Sequence, residues 1–224
     1  QALRGAKAMK TVIDHHQQPE NWPDFIYSDT MMSSTCQMIY ELCDRMGWEH
    51  LLDEESAACI YTGIVTDTGS FKYSATSART HEFASKLLGL GVQPQHLHNK
   101  VFDSQPVARL RLLGTMLEQM EVSQDKTKGL LYLTEEQCLQ LGYQKGITEG
   151  FVNYGLSISG AILTIFLREE DGAVKLSLRS KGEFDVNALA RSYFNGGGHK
   201  NAAGGRIEMN MSNAIKHAKK HLEW

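Results

Sequence analysis

The stretch "KTVIDHH", residues 10–16, is the strongest constraint on what this chain can fold into. Val12 and Ile13 are β-branched and apolar, so they read as a short strand, yet they run straight into Asp14, His15 and His16. A protein core rejects such an ending. An α/β sheet accommodates it, because ligands sit outside the carboxyl ends of its strands. Imidazole and carboxylate are donors for Mn²⁺, Zn²⁺ or Fe²⁺, and a further carboxylate can orient a ligating histidine from outside the coordination shell. A polar turn with two exposed histidines is the other reading of the same triplet.

Around this strand the first half of the chain has β–α grammar. "QALRGAKAMK" reads as a helix, and "DFIYSD" as a second strand. Ser34 and Gln37 have capping-box spacing, which predicts a helix over 35–46 stopped by Gly47. "DEESAACIYTGIVTD" predicts another, with acidic residues in its first turn and Asp67 at its end. A carboxylate there faces the negative end of the helix dipole and calls for a compensating positive charge. A solvated helix-end aspartate is the plainer alternative. Further helix is expected over 77–90 and 94–102, then in a periodic stretch carrying Val107, Leu110, Leu113, Leu117 and Met120.

From about Ser123 the pattern changes. "GLLYLT" reads as a strand, and "AILTIFLREEDGAVKLSLRSKG" as two strands joined at Asp171-Gly172, a hairpin signal. In the second of these, Val174, Leu176 and Leu178 alternate with Lys175, Ser177 and Arg179, so a core face opposes a basic, solvent-accessible one. "DVNALARSYFNGGGHKNAAGG" predicts a helix and then a triple-glycine turn bearing His199. Such a turn offers backbone N–H groups as an anion-binding nest, or simply caps the helix. Residues 175–220 hold nine Lys or Arg against three Asp or Glu, so this end is locally basic.

The bulk numbers exclude some classes of function. At 224 residues the chain suits two domains. No apolar run approaches the roughly 20 residues that cross a bilayer. A net charge of −3 argues against coating long nucleic acid. Cys36, Cys43, Cys59 and Cys138 lack CxxC spacing and lie in apolar helical patterns, so buried, reduced thiols and a cytoplasmic location are expected.

Taken together, Asp14-His15-His16, "GIVTDTGSFKYSATSARTHE" and "RSKGEFDVNALARSYFNGGGHKNAAGG" resemble the DHH phosphoesterase family, in its two-domain form with a DHH-associated C-terminal domain. Within it, the chain looks most like the oligoribonuclease (nanoRNase) and 3′-phosphoadenosine 5′-phosphate phosphatase proteins. The resemblance implies an α/β fold with a parallel-sheet DHH domain over 1–104, N-terminally incomplete here. A linker helix over 105–122 would lead to a smaller α/β domain with a mixed sheet over 123–224. It also implies a two-metal Mn²⁺ site for in-line displacement at phosphorus. His15 and Asp67 would be metal ligands, Asp14 a supporting carboxylate and His16 a substrate-phosphate contact. Arg79, Arg179, Gly197, Gly198 and His199 would hold the nucleotide or its terminal phosphate.

The implied partners are short oligonucleotides or nucleoside bisphosphates, with no membrane. The sequence does not choose among nanoRNA, linear dinucleotides made from cyclic ones, and 3′-phosphoadenosine 5′-phosphate. A homodimer is compatible with it but not fixed by it. The family's earlier histidine–aspartate ligand motifs have no counterpart here, so a longer parent protein is expected to supply them. Without them, the fold would serve as a nucleotide-binding regulatory module lacking catalysis. A third reading, a related pyrophosphatase or exopolyphosphatase, is disfavoured by the "GGGHKNAAGG" form of the second domain.

Overall fold

The computed structural model describes residues 4–16 and 22–224. The chain is α/β and divides into two units, Gln1–Ser104 and Gln105–Trp224.

In the first unit, strands β1 (Thr11–Asp14) and β2 (Phe25–Ser28) pair in parallel, with Asp14 opposite Ser28. Helices α1 (Thr35–Met46), α2 (Glu54–Asp67), α3 (Ala78–Gly89) and α4 (Pro94–His98) follow, the last running into a π-turn at Asn99–Asp103. Tyr40, Ile60, Ile64, Phe83 and Leu87 are central to their common core. Ser34 caps α1 by accepting from the Gln37 N–H, and Gly47 ends it at φ 70°. The reciprocal half of that capping box is not made. Instead the Gln37 side chain is buried, accepting from Ser33 Oγ at 2.5 Å and Thr80 Oγ1 at 2.8 Å, so tertiary bonds between α1 and α3 replace the local one.

The expected opening helix does not form over residues 4–10, which are bends and turns; residues 1–3 lie outside the described residues. A helix that short is marginal without a packing partner, and Arg4 to Met9 are exposed. The thiols also differ from expectation. All four are unbridged, but only Cys138 is buried, while Cys59 lies on the outer side of α2 and is exposed.

The second unit opens with α5 (Val107–Glu118) and is built on a six-stranded mixed sheet. Its strands are β3 (Glu121–Val122), β4 (Lys128–Leu133), β5 (Leu163–Glu170), β6 (Ala173–Ser180), β7 (Gly197–His199) and β8 (Ala202–Ile207). Their order is β3-β4-β5-β6-β8-β7, with β4 and β5 parallel and the remaining pairs antiparallel. The β5–β6 hairpin turns at Asp171 and Gly172 with φ 52° and 72°, the left-handed pair its tight turn requires. Helices α6 (Glu135–Gln140), α7 (Val186–Tyr193) and α8 (Met211–His221) complete the unit.

Alternation along the strands sorts the two faces. Leu130, Ile165, Leu167, Leu176, Leu178 and Ala203 point to one side, covered by Val186 and Ala190 of α7, by Phe194 just after it, and by Ala214 and Ala218 of α8. On the other side Leu131, Leu133 and Phe166 of β4 and β5 pack under Leu112 and Met116 of α5. The α5 stripe read from sequence is therefore corrected in part. Ala108, Leu112 and Met116 make the contact, while Val107, Leu110 and Leu117 are exposed. The helix carries two apolar stripes, and periodicity alone does not rank them. The triple-glycine segment is likewise corrected: Gly197–His199 is an edge strand rather than a turn.

One turn has a pH signature. Asp125 accepts from Ser123 Oγ (2.6 Å), the Thr127 N–H (3.0 Å) and Thr127 Oγ1 (2.8 Å). These bonds, Ser123's first, lower its pKa from 3.8 to about 2. A value depressed by folding contributes stability above the unfolded pKa and loses it as pH falls through the folded one. Amide protection factors in the β3–β4 turn, taken relative to the intrinsic exchange rate at each pH, should therefore fall between about pH 4 and pH 2, and Asp125→Asn should remove that step. Protection factors that are flat across this window in the parent protein would show that the three bonds do not hold the turn.

Candidate functional site

His15 follows the last residue of β1, and its Nδ1–H donates to the Met32 carbonyl at 3.3 Å. A carbonyl only accepts, so in the neutral ring the proton sits on Nδ1 and Nε2 presents its lone pair. That Nε2 stands 3.7 Å from Asp67 Oδ2, at the end of α2 and 52 residues away in sequence. The Met32 end of the loop is fixed in turn by buried Gln37, whose Nε2 donates to Met32 Sδ at 3.4 Å. An accepting nitrogen thus faces an accepting oxygen. At 3.7 Å the pair is too long for a good hydrogen bond. Two donors sharing one cation, with bonds of ~2.0–2.2 Å each, meet at about this separation.

Electrostatics point the same way. Asp67 sits at the negative end of the α2 dipole, and the helix has no basic residue in its last turn. Burial, with Asp67 and Cys59 nearby, pushes the Cys36 thiol up, so a neutral thiol stands near this carboxylate. The donor set fits a borderline divalent cation such as Mn²⁺, Zn²⁺ or Fe²⁺. Among the described residues no group of three or more His, Cys, Asp or Glu side chains converges on one point.

Sequence reasoning missed the strain in the turn that follows Asp67. Gly69, Ser70 and Phe71 all have left-handed backbones, with φ 57°, 58° and 65°. For the two non-glycine residues this costs about 1–2 kcal/mol each. Thr68 Oγ1 accepts from the Phe71 N–H at 2.9 Å, and the Phe71 ring stacks on His81 with centroids 4.9 Å apart. Backbone strain held in place by such contacts gathers at functional sites. "DTGSF" contains the glycine that hints at it, but nothing local requires Phe71 to adopt positive φ.

Asp14 and His16 form a second pairing. Asp14 Oδ1 takes the His16 backbone N–H at 3.1 Å and Nδ1 at 2.6 Å. Burial raises the Asp14 carboxyl, but these bonds outweigh it and leave the pKa below the usual carboxylate range. The His16 ring lies 4.5 Å from that of His15. Arg79 binds Asp44 at 2.9 Å and Glu82 at 3.2 Å, and lies over the Phe83 ring, tying α3 to α1.

In the second unit the register assembles the remaining residues. Arg179 pairs with Ala202, and Ala202 with His199, so these three form one row across β6, β8 and β7 with their side chains on one face. The next row on that face is Ser177, Gly204 and Gly197, and beyond it come Lys175 and Arg206. Over these strands the face is left partly open: Arg179, His199, Ala202, Gly204 and Gly197 are half-buried, and Lys175 and Arg206 exposed. Gly198 belongs to the opposite face, and its N–H donates to Asn187 Oδ1 at 2.9 Å.

The sequence matches the DHH family N-terminal domain over residues 1–64 and the DHHA1 domain over 129–223. The chain belongs to the DHH family. His15 and His16 fall in the first match and Arg179, Gly197, Gly198 and His199 in the second, while Asp67 and Arg79 lie in neither. The chain is 32% identical over 206 residues to the bifunctional oligoribonuclease and PAP phosphatase NrnA of Bacillus subtilis, covering 91% of this chain and 63% of that protein. The protein of the same name from Thermus thermophilus is 30% identical over 196 residues, covering 88% and 58%. An exopolyphosphatase-related protein of Bacteroides fragilis, solved by crystallography, superposes with a TM-score of 0.95 at 39% identity, over 99% of this chain and 65% of that one. The DHH-family chain described here thus spans about three-fifths of the length of the curated relatives it matches.

Proposed function

We propose that this chain is part of a metal-dependent phosphoesterase that hydrolyses short oligonucleotides, 3′-phosphoadenosine 5′-phosphate, or both. The observation that carries the reading is the approach of His15 Nε2 to Asp67 Oδ2 at 3.7 Å, with the His15 tautomer set by the Met32 carbonyl. The names of the relatives from Bacillus subtilis and Thermus thermophilus supply the substrate class.

In this reading His15 and Asp67 hold Mn²⁺, in a site that takes two ions in the whole protein. Cations there supply positive charge against the charge that develops on phosphoryl oxygens during displacement. His16, oriented by Asp14, contacts the substrate phosphate. Arg179 and His199, flanking Ala202, bind a phosphate on the open sheet face of the second unit. Gly197 lets substrate come close to the backbone. Arg79 is assigned the same substrate-holding role, with its ion pairs to Asp44 and Glu82 fixing where the guanidinium stands.

Turnover of a 5′-phosphorylated dinucleotide and of 3′-phosphoadenosine 5′-phosphate tests this, measured in the whole protein with Mn²⁺ and after chelation. Release of mononucleotide or phosphate that stops on chelation is expected. Binding of both compounds without turnover would make the protein a nucleotide-binding module instead. Cleavage of pyrophosphate or polyphosphate in their place would favour the third reading.

A further inference from the structure

A residue that no role yet uses, Arg191, stands beside Gly197 of the edge strand. It stands in the last turn of α7, exposed, where the helix dipole alone would tolerate a cation. The dipole does not explain its bracing. Arg191 Nε donates to Asn187 Oδ1 at 3.1 Å, and the same oxygen accepts from the Gly198 N–H at 2.9 Å. One neutral amide therefore fastens the guanidinium to the edge strand. Among the described residues Arg191 has no carboxylate partner, whereas Lys200 is paired with Glu183 and Arg206 with Glu208.

The surface beside it is bare. A Cβ on Gly197 would meet Asn187 Oδ1 at 3.4 Å and Arg191 Nε and Cζ at 3.6 and 3.7 Å, which are ordinary contacts. The fold would accept a side chain at Gly197. Its partner across the strand, Gly204, would meet only the Leu176 carbonyl at 3.3 Å. A backbone floor thus runs under the guanidinium, one row along from Arg179 and His199. Two residues of strand separate the rows by roughly 7 Å, a distance a sugar–phosphate linkage spans.

We infer that Arg191, positioned by Asn187 over the Gly197–Gly204 floor, binds a second phosphate of the substrate, next to the one held by Arg179 and His199. This rests on the oligonucleotide reading above and deepens it. The ligand it selects carries two phosphates one nucleotide apart, and a nucleotide with a single phosphate does not reach it. An arginine fork suits the task because it offers paired donors to phosphate oxygens.

Calorimetric titration with AMP and with a 5′-phosphorylated diadenylate, joined by a phosphorothioate to block cleavage, decides the matter. Arg191→Ala should weaken the dinucleotide about tenfold and lower its salt slope by about 0.7, the value of one single-strand phosphate contact. AMP binding should stay unchanged. Arg179→Ala should weaken both ligands, Arg191→Lys should retain part of the dinucleotide affinity, and Asn187→Ala should fall between. Gly197→Ala should leave the melting temperature in place and weaken the dinucleotide. Equal losses for AMP and dinucleotide in Arg191→Ala, or no loss for either, would overturn the inference while leaving the oligonucleotide reading intact. A parent protein that binds neither ligand would remove both.

Discussion

Alanine at His15 or Asp67 should abolish the Mn²⁺ dependence of hydrolysis, with turnover falling on the order of 10³-fold or more. Residues outside the coordination shell typically cost 10–100-fold when removed, so a direct ligand costs more. The cause lies in the geometry. With Nδ1 committed to the Met32 carbonyl, His15 offers one lone pair, and Asp67 at the foot of α2 is the oxygen it faces at 3.7 Å. Losing either half leaves a single donor. Gln37→Leu gives the graded counterpart. It unties Met32 Sδ, Ser33 and Thr80 without touching a ligand, so it should lie in the 10–100-fold range and recover partly at saturating Mn²⁺. Calorimetric Mn²⁺ titration alongside steady-state kinetics makes the comparison. If His15→Ala binds Mn²⁺ as tightly as the parent, the pair is not a metal site.

The parts of this fold that were legible in the sequence are those whose cause is local. Ser34 and Gly47 bound α1 because a hydroxyl cap and a left-handed glycine act within one turn. Asp171-Gly172 turns the hairpin because that dipeptide tolerates positive φ. The α/β class follows from such signals summed along the chain, whereas the mixed sheet of the second unit was expected from the family resemblance.

Where a distant partner decides, local reading fails. Gln37 has the right spacing to complete a capping box, but Thr80, 43 residues on, takes its side chain. The pairing of Arg79 with Asp44, 35 residues earlier in the chain, is likewise not legible from its neighbours. The types of residue at the candidate site were readable from "DHH" and "VTD". Their approach, 3.7 Å between His15 Nε2 and Asp67 Oδ2, was expected only through the family resemblance, because it depends on where the end of α2 lies relative to the end of β1. Asn187 and Arg191, four apart on a helix, share a face and could have been paired from spacing alone. What singles them out, the bare strand edge beside them, exists only in the fold.

The glycines of "NGGGHKNAAGG" sort by what a methyl group would meet, and the sorting predicts the largest loss of stability in the second unit. A Cβ on Gly196 would run into the Gly204 carbonyl and come within 2.6 Å of Gly205 Cα, while one on Gly205 would run into the Phe194 carbonyl. These obstacles are backbone atoms, which cannot swing aside as a side chain can. They are also held: the Arg206 N–H bonds the Phe194 carbonyl at 3.0 Å, and the Gly196 N–H bonds the Ala190 carbonyl at 3.2 Å. Gly196→Ala and Gly205→Ala must therefore pry the end of α7 away from β8, breaking the seat of fully buried Phe194. Overpacking usually costs about 1–3 kcal/mol, and with backbone on both sides we expect about 3 kcal/mol or more. Gly197→Ala, one residue along and free of such contacts, should stay within about 0.5 kcal/mol of the parent. Urea unfolding of the three variants, followed through the transition of the second unit, makes the test. Equal losses at Gly196 and Gly197 would mean that the run serves the fold throughout, and that the bare floor beside Arg191 is not kept open for a ligand.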